Sequence, residues 1–161
     1  YLVEDGLDTL GRLEGYRLKQ SFRVQFVDTF GQIEEGIDGG GLFKEFLIRL
    51  SRTAFNPIFG LFESSADNFL YPSPSADIVQ VNALELFSFL GKLCGKALYE
   101  KTLIEPCFGK IFLNLILGRS NQVDDVASID SDLHKNLLYL KTYEGNVEDF
   151  SLTFSVTIDK F

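Results

Sequence analysis

Arg23–Phe46, RVQFVDTFGQIEEGIDGGGLFKEF, decides the fold class, because its hydrophobic period changes midway. From Ser21 to Asp28, Phe22, Val24 and Phe26 alternate with Arg23 and Gln25. A period of two predicts a half-buried strand. Thr29–Gly41 is an acidic, glycine-rich connection that closes on Gly39-Gly40-Gly41. Leu42–Ala54 then brings Phe43, Phe46, Leu47 and Leu50 onto one helical face, and Asn56-Pro57 stops that helix. Three glycines in a row beside an amphipathic helix mark a tight backbone turn.

Outward from this segment, helical patterns dominate. Tyr1–Leu13 carries Leu2, Val3, Leu7, Leu10 and Leu13 at helical spacing. Asn82–Glu100 is the clearest helix. Leu84, Phe87, Leu90, Cys94, Ala97 and Leu98 form a stripe that Leu86, Phe89 and Leu93 widen, which predicts a central, mostly buried element. Phe59–Ser75 is irregular, with the apolar pairs Leu61-Phe62 and Phe69-Leu70 and the turn-rich Tyr71-Pro72-Ser73-Pro74. Pro106 suits a first helical turn ahead of Phe108, Ile111, Phe112, Leu115 and Ile116, with Gly118 as C-cap. Asp130 can cap a further helix to about Lys141, with Leu133, Leu137, Leu138 and Leu140 apolar. Phe150–Ile158 alternates strictly and predicts a strand with one wet face. Mostly helices with a few strands make the fold class α+β.

A hydrophobic fraction of 45% with sixteen Phe supplies one core for the 161 residues. The net charge of −8 opposes nonspecific nucleic-acid binding, which needs a positive field over phosphates. It equally opposes docking on anionic lipid, so neither nucleic acid nor membrane is expected as a partner. There is no run of roughly 18 apolar residues and no charged-then-apolar leader, which points to the cytoplasm or nucleus. Cys94 and Cys107 form no CxxC pair and sit among apolar residues. They are expected as buried, reduced thiols rather than as a disulfide or a nucleophile. His134, the single histidine, cannot build an ordinary zinc site. The chain has no Met, and Tyr1-Leu2-Val3 is already apolar, so an interior piece of a longer protein is expected.

Motifs that would carry chemistry are weak. Gly39–Gly41 before a helix could cradle phosphate on its amides, but Glu34, Glu35 and Asp38 crowd the loop. No Lys followed by Ser or Thr completes a P-loop. Asp38 capping the helix start is the better reading. Gly91 and Gly95 form a GxxxG flanked by Lys92 and Lys96, read as a face onto which another element packs closely. Asp124-Asp125 and Asp130-Ser131-Asp132 lack the order of a calcium loop and read as a solvated loop and an N-cap. No GxSxG or HExxH occurs. The aromatic loop around Leu61, Phe62, Phe69, Leu70 and Tyr71 reads as an anchor onto the core, or as contact area for a protein partner.

Many blocks, in order, resemble the HECT-type ubiquitin ligases. They are Arg23–Asp28 with Gly36–Gly41 and Phe43-Lys44-Glu45-Phe46; Phe55-Asn56-Pro57, Gly60-Leu61-Phe62 and Leu70–Pro74; and Phe89–Lys92 with Gly95–Glu100. Leu117-Gly118-Arg119, Ala127–Asp130, Leu137–Lys141, Tyr143–Glu148 and Leu152-Thr153-Phe154 continue the register. The match covers roughly Tyr1–Ile158. The triple glycine and Tyr143–Asp149 resemble the branch without WW modules, that of the IQ-motif-bearing ligases and their plant relatives.

The resemblance implies that residues 1–161 are a partial HECT domain, the large, mostly helical subdomain of its N-lobe. The E2-binding subdomain and the C-lobe are then expected beyond residue 161, and the nucleophilic cysteine with them. It implies a full protein that takes ubiquitin from an E2 conjugating enzyme onto that cysteine and passes it to a lysine of a protein substrate. No catalytic residue, cofactor or metal ligand is expected within the chain, and the piece alone is expected to be inactive. The family usually has an aliphatic residue at Cys94 and Leu-Pro-Phe where this chain has Glu105-Pro106-Cys107-Phe108. Some relatives bind a second ubiquitin noncovalently near the block matching Leu61–Tyr71, which makes Phe69 a candidate contact. The alternative is a non-catalytic protein-interaction module.

Overall fold

The computed structural model describes residues 2–27, 30–33, 41–153 and 155. The chain divides into two compact units, residues 1–59 with 81–106 and residues 60–80 with 107–161. Among the described residues, α-helices and one two-stranded antiparallel sheet make up the regular structure, which is the expected α+β class.

The first unit is helix packed on helix. α1 (Leu2–Gly6) runs on into a π-helical turn at Leu7–Gly11, and α2 (Gly15–Leu18) is a single turn. α3 (Gly41–Ala54) buries Phe43, Leu47, Leu50, Ser51 and Ala54. That is the face its periodicity predicts, with Phe46 only half-buried. α1 crosses at Gly6, where an added Cβ would meet Leu50 and Phe89 side chains at 3.1 Å. That separation leaves no room for a side chain without a shift.

The long helix, here designated by its range Ala83–Tyr99, buries Ala83, Leu86, Phe89, Leu90, Leu93, Lys96 and Ala97. This corrects the sequence reading. The widening line is buried, and Leu90 and Ala97 of the expected stripe are buried with it, whereas Leu84 and Leu98 of that stripe are 85% and 80% exposed. The helix therefore lies on the core rather than through it. Gly91 and Gly95 are exposed, and a Cβ at either would meet nothing within 4 Å among the described residues. The close packing expected on the GxxxG face is not there. Gly95 instead lines a groove of about 220 Å³ with Gly15, Leu18, Lys19, Lys92, Lys96 and Tyr99.

Lys96, expected as a mere flank, is only 3% exposed. Its ammonium donates to the Gln20 carbonyl at 2.9 Å and to the Glu100 carboxylate. It also sits 4.7 Å from the Phe22 ring centroid, 5.1 Å from that of Phe43 and 5.5 Å from that of Tyr99. A buried charge is tolerated only with partners of this kind. The clamp holds Gln20–Phe22 in place without a β-ladder. Ser21–Val27 keeps the expected alternation, with Phe22, Val24 and Phe26 half-buried and Arg23 and Gln25 exposed. Among the described residues it makes an isolated antiparallel bridge, Val27 to Ile33, and no strand. Glu34, Glu35, Asp38, Gly39 and Gly40 lie outside the described residues.

The second unit contains what the sequence hid. β1 (Phe62–Ser64) and β2 (Leu70–Pro72) pair antiparallel in the register Phe62–Pro72, Glu63–Tyr71, Ser64–Leu70. Pro72 at a strand end and the surrounding Ser and Pro residues disguise this hairpin as irregular chain. Gly60 leads into it with φ +88°, and an added Cβ would meet Val79 Cγ1 at 2.5 Å. This position requires glycine on both counts.

After β2 come a short helix, Ala76–Val79, and two longer ones, Lys110–Ile116 and Ser131–Thr142. Pro106 does not start a helix. Cys107–Gly109 runs beside β2 instead, Leu70 N–H donating to Cys107 O at 2.7 Å and Gly109 N–H to Leu70 O at 2.9 Å. Gly118, at φ +66°, ends Lys110–Ile116 as expected. Its N–H donates to Leu115 O and that of Arg119 to Asn114 O, the paired bonds of a Schellman cap. Asp130 caps Ser131–Thr142 by accepting from the Asp132 and Leu133 amides, both at 2.9 Å. Phe150 does not open a strand. It closes a 3₁₀ turn, Val147–Phe150, and Ser151 follows with φ +49°. Phe154 and residues 156–161 lie outside the described set.

Candidate functional site: the hairpin tip and the two thiols

Phe69 stands at the end of the β1–β2 hairpin. The Asn68 N–H donates to Ser65 O at 2.9 Å, and Asn68 takes φ +62°. A turn followed by one left-handed residue closes a three-residue hairpin loop, and Asn tolerates that conformation better than most residues. Ser65 N–H then donates to Phe69 O at 2.9 Å, while Phe69 N–H donates to Ser65 Oγ at 3.1 Å. Phe69 is thus fixed through its backbone while the residue stays 38% exposed.

Its neighbours divide the two roles foreseen for the aromatic loop. Leu61, Phe62 and Leu70 are buried and anchor the hairpin. Phe62, Phe108 and Phe112 pack as an aromatic cluster with centroids 5.3–6.0 Å apart. Phe69 alone of this set points a large apolar surface outward.

Polar groups brace the strands. The Glu63 carboxylate accepts from the Ser73 hydroxyl at 2.6 Å and from the Tyr71 hydroxyl at 3.2 Å. Burial, then the bond to Glu63, hold the Tyr71 phenol above its ordinary pKa. The sequence singled out neither Glu63 nor Ser73, because one acid between Phe62 and Ser64 carries no spacing signal.

Asp125 is a second departure, buried rather than solvated. It accepts from Gln122 N–H at 2.9 Å and pairs with Lys110 at 2.7 Å. The Lys110 bond, then the Gln122 amide, hold its carboxyl below the usual range. Asp124 is exposed beside His134, 3.4 Å away.

The two cysteines differ. Cys94 is half-buried, and burial pushes its thiol above the ordinary value, the reverse of what a nucleophile needs. Cys107 is exposed, not buried as expected. Its backbone is engaged along β2, where its carbonyl accepts from Leu70 N–H. They are not joined in a disulfide. Among the described residues no group of three His, Cys, Asp or Glu is placed to hold a metal, and no helix is long and apolar enough to cross a membrane.

Comparison with known proteins places the chain in a family. The HECT-domain (ubiquitin-transferase) family matches residues 48–161. E3 ubiquitin-protein ligase UPL6 of Arabidopsis thaliana is 36% identical over 161 residues, covering 100% of this chain and 16% of its own length. Ubiquitin-protein ligase E3B of Homo sapiens is 40% identical over 164 residues, covering 98% of this chain and 15% of its own. E3 ubiquitin-protein ligase HUL5 of Saccharomyces cerevisiae is 37% identical over 161 residues, covering 96% and 17%. This chain therefore spans about a sixth of the length of each of these relatives. The chain belongs to the HECT-domain family.

Proposed function

We propose that the whole protein is a HECT-type ubiquitin-protein ligase and that residues 1–161 are the large subdomain of its N-lobe. The observation that carries this reading is the family match over 48–161, together with ordered blocks that begin upstream at Arg23. The chemistry is acyl transfer. A cysteine thiolate attacks the carbonyl of the ubiquitin thioester on an E2 and releases the E2 thiolate. A substrate lysine amine then attacks the new thioester and releases the ligase thiolate. The attacking cysteine is one outside residues 1–161. Cys94 is held protonated by burial, and Cys107 lies where the family carries an apolar residue. The setting is the cytoplasm or nucleus, where both thiols stay reduced.

Incubating the full-length protein with ubiquitin-charged E2 should give a ubiquitin adduct that a reducing agent removes. Cys94→Ala and Cys107→Ala should leave that adduct intact. A full-length protein that never forms it would sink the ligase reading in favour of a non-catalytic interaction module. An adduct lost with either substitution would overturn the assignment of the nucleophile.

Phe69 is the contact for a second, noncovalently held ubiquitin. Its exposure on a backbone-fixed tip supports this, since aromatic anchors carry much of the energy at protein interfaces.

A further inference from the structure

We propose that Glu63 is a positioning residue for ubiquitin recognition, its carboxylate locking the hairpin that presents Phe69. The inference rests on the reading of Phe69 as a ubiquitin contact and goes beyond it to the group that holds the contact in place.

The hairpin is very short. β1 and β2 have three residues each and form the whole sheet. A two-stranded ribbon of that size is marginal in water. One edge is fastened, because Leu70 exchanges backbone hydrogen bonds with Cys107 and Gly109. Across the pair, the Tyr71 and Ser73 hydroxyls converge on one carboxylate. Glu63 lies opposite Tyr71 in the register and takes the Tyr71 hydroxyl on Oε2 and the Ser73 hydroxyl on Oε1.

Ser73 is itself fixed, donating its N–H to Leu61 O at 2.9 Å and accepting from Ser75 N–H at 3.2 Å. Both bonds to Glu63 are charge-assisted and half-buried, which puts them among the stronger side-chain hydrogen bonds. Glu63 lies six residues before Phe69 on the other arm of the hairpin, and its bonds to Tyr71 and Ser73 fix the arm that carries the tip. Rigidity of a binding element lowers the ordering cost of association.

The test uses the full-length protein, with free ubiquitin as the probe. Affinity is read by fluorescence anisotropy, and hairpin opening by hydrogen–deuterium exchange of the peptide spanning Leu61–Ser73. Phe69→Ala should abolish measurable noncovalent binding. Glu63→Ala should weaken it about fivefold, the scale of lost preorganisation, and raise exchange across the hairpin. Glu63→Gln keeps the shape and one acceptor oxygen and should recover most of the loss. Tyr71→Phe should fall between Glu63→Gln and Glu63→Ala.

Full affinity in Glu63→Ala with a weakened Phe69→Ala would overturn the role of Glu63 and leave Phe69 standing. Full affinity in Phe69→Ala would overturn both. A lower melting temperature in Glu63→Ala with unchanged affinity would make Glu63 a stabilising residue only, which overturns the proposal. An equal loss in Glu63→Gln and Glu63→Ala would overturn the hydrogen-bond clamp as its cause.

Discussion

The two units are held by different physics. In the first, α3 and the helix Ala83–Tyr99 together bury Phe43, Leu47, Leu50, Phe89, Leu90 and Leu93. In the second, neither Lys110–Ile116 nor Ser131–Thr142 has a fully buried residue. Leu115, Ile116, Leu117 and Leu133 are exposed there, and order comes from caps, the Asp125 network and small aromatic clusters. Tyr139, Tyr143 and Phe150, for example, stack with centroids 4.7–6.1 Å apart. The first unit depends on volume filled away from water; in the second, beyond the buried Leu61, Phe62, Leu70 and Ala76, directional bonds carry a larger share of the order. Apolar truncation should therefore dominate in the first unit, and loss of single polar groups should count in the second.

The largest effect should come from Phe89→Ala. Phe89 is among the largest fully buried side chains, and its removal should cost about 3–5 kcal/mol in denaturant unfolding. A loss under half of that would break the distinction. Lys96→Ala comes next. It leaves the Gln20 carbonyl and Glu100 without their cation and should cost about 1–3 kcal/mol. Lys96→Met, which fills the cage without a charge, should be milder.

In the second unit, Asp130→Ala removes an N-cap that serves two amides and should cost about 1 kcal/mol. If it proves silent, the second unit does not rest on its caps.

The smallest effect is confined to acid. Asp125 has a depressed carboxyl because of Lys110 and the Gln122 amide. Unfolding releases those partners, so the unfolded chain binds the proton more readily and folding is favoured above the unfolded pKa. That contribution should fade as pH drops through the ordinary Asp value toward the lower folded one. Asp125→Asn should flatten the acid limb of a stability–pH curve measured below about pH 4, near the ordinary Asp value. An unchanged limb would remove Asp125 from the network's energetics.

The same contrast explains what could be read in the sequence. Periodicity located α3 and the face it buries, because Phe43, Leu47 and Leu50 meet one continuous core. On the long helix it found the element and the buried Leu86, Phe89, Leu90, Leu93 and Ala97, but it counted the exposed Leu84 and Leu98 with them. Apolar residues lie on two lines there, and a pattern alone cannot tell a buried Leu86 from an exposed Leu84. Local chemistry found Asp130 and Gly118, whose roles are set within four residues of each. It could not find Glu63, Asp125 or the engagement of Cys107 beside β2, since each depends on partners brought together by the hairpin or a neighbouring turn. Val27 shows the limit of alternation. Its segment keeps the pleat of a strand but among the described residues pairs only through Ile33. Resemblance alone made Phe69 a candidate contact, and only the geometry gives its exposure.

Lys96 has one further consequence, and it concerns reactivity. An amine almost shut off from solvent, donating to two oxygens within a ring of Phe22, Phe43 and Tyr99, is poorly placed to meet an acylating reagent. The exposed Lys44 and Lys135 are open to one. In a native protein, then, Lys96 stays unlabelled while its surface counterparts react. The first appearance of label on Lys96 during heating or denaturant exposure timestamps the moment the Gln20–Phe22 segment lifts from the helix beneath it.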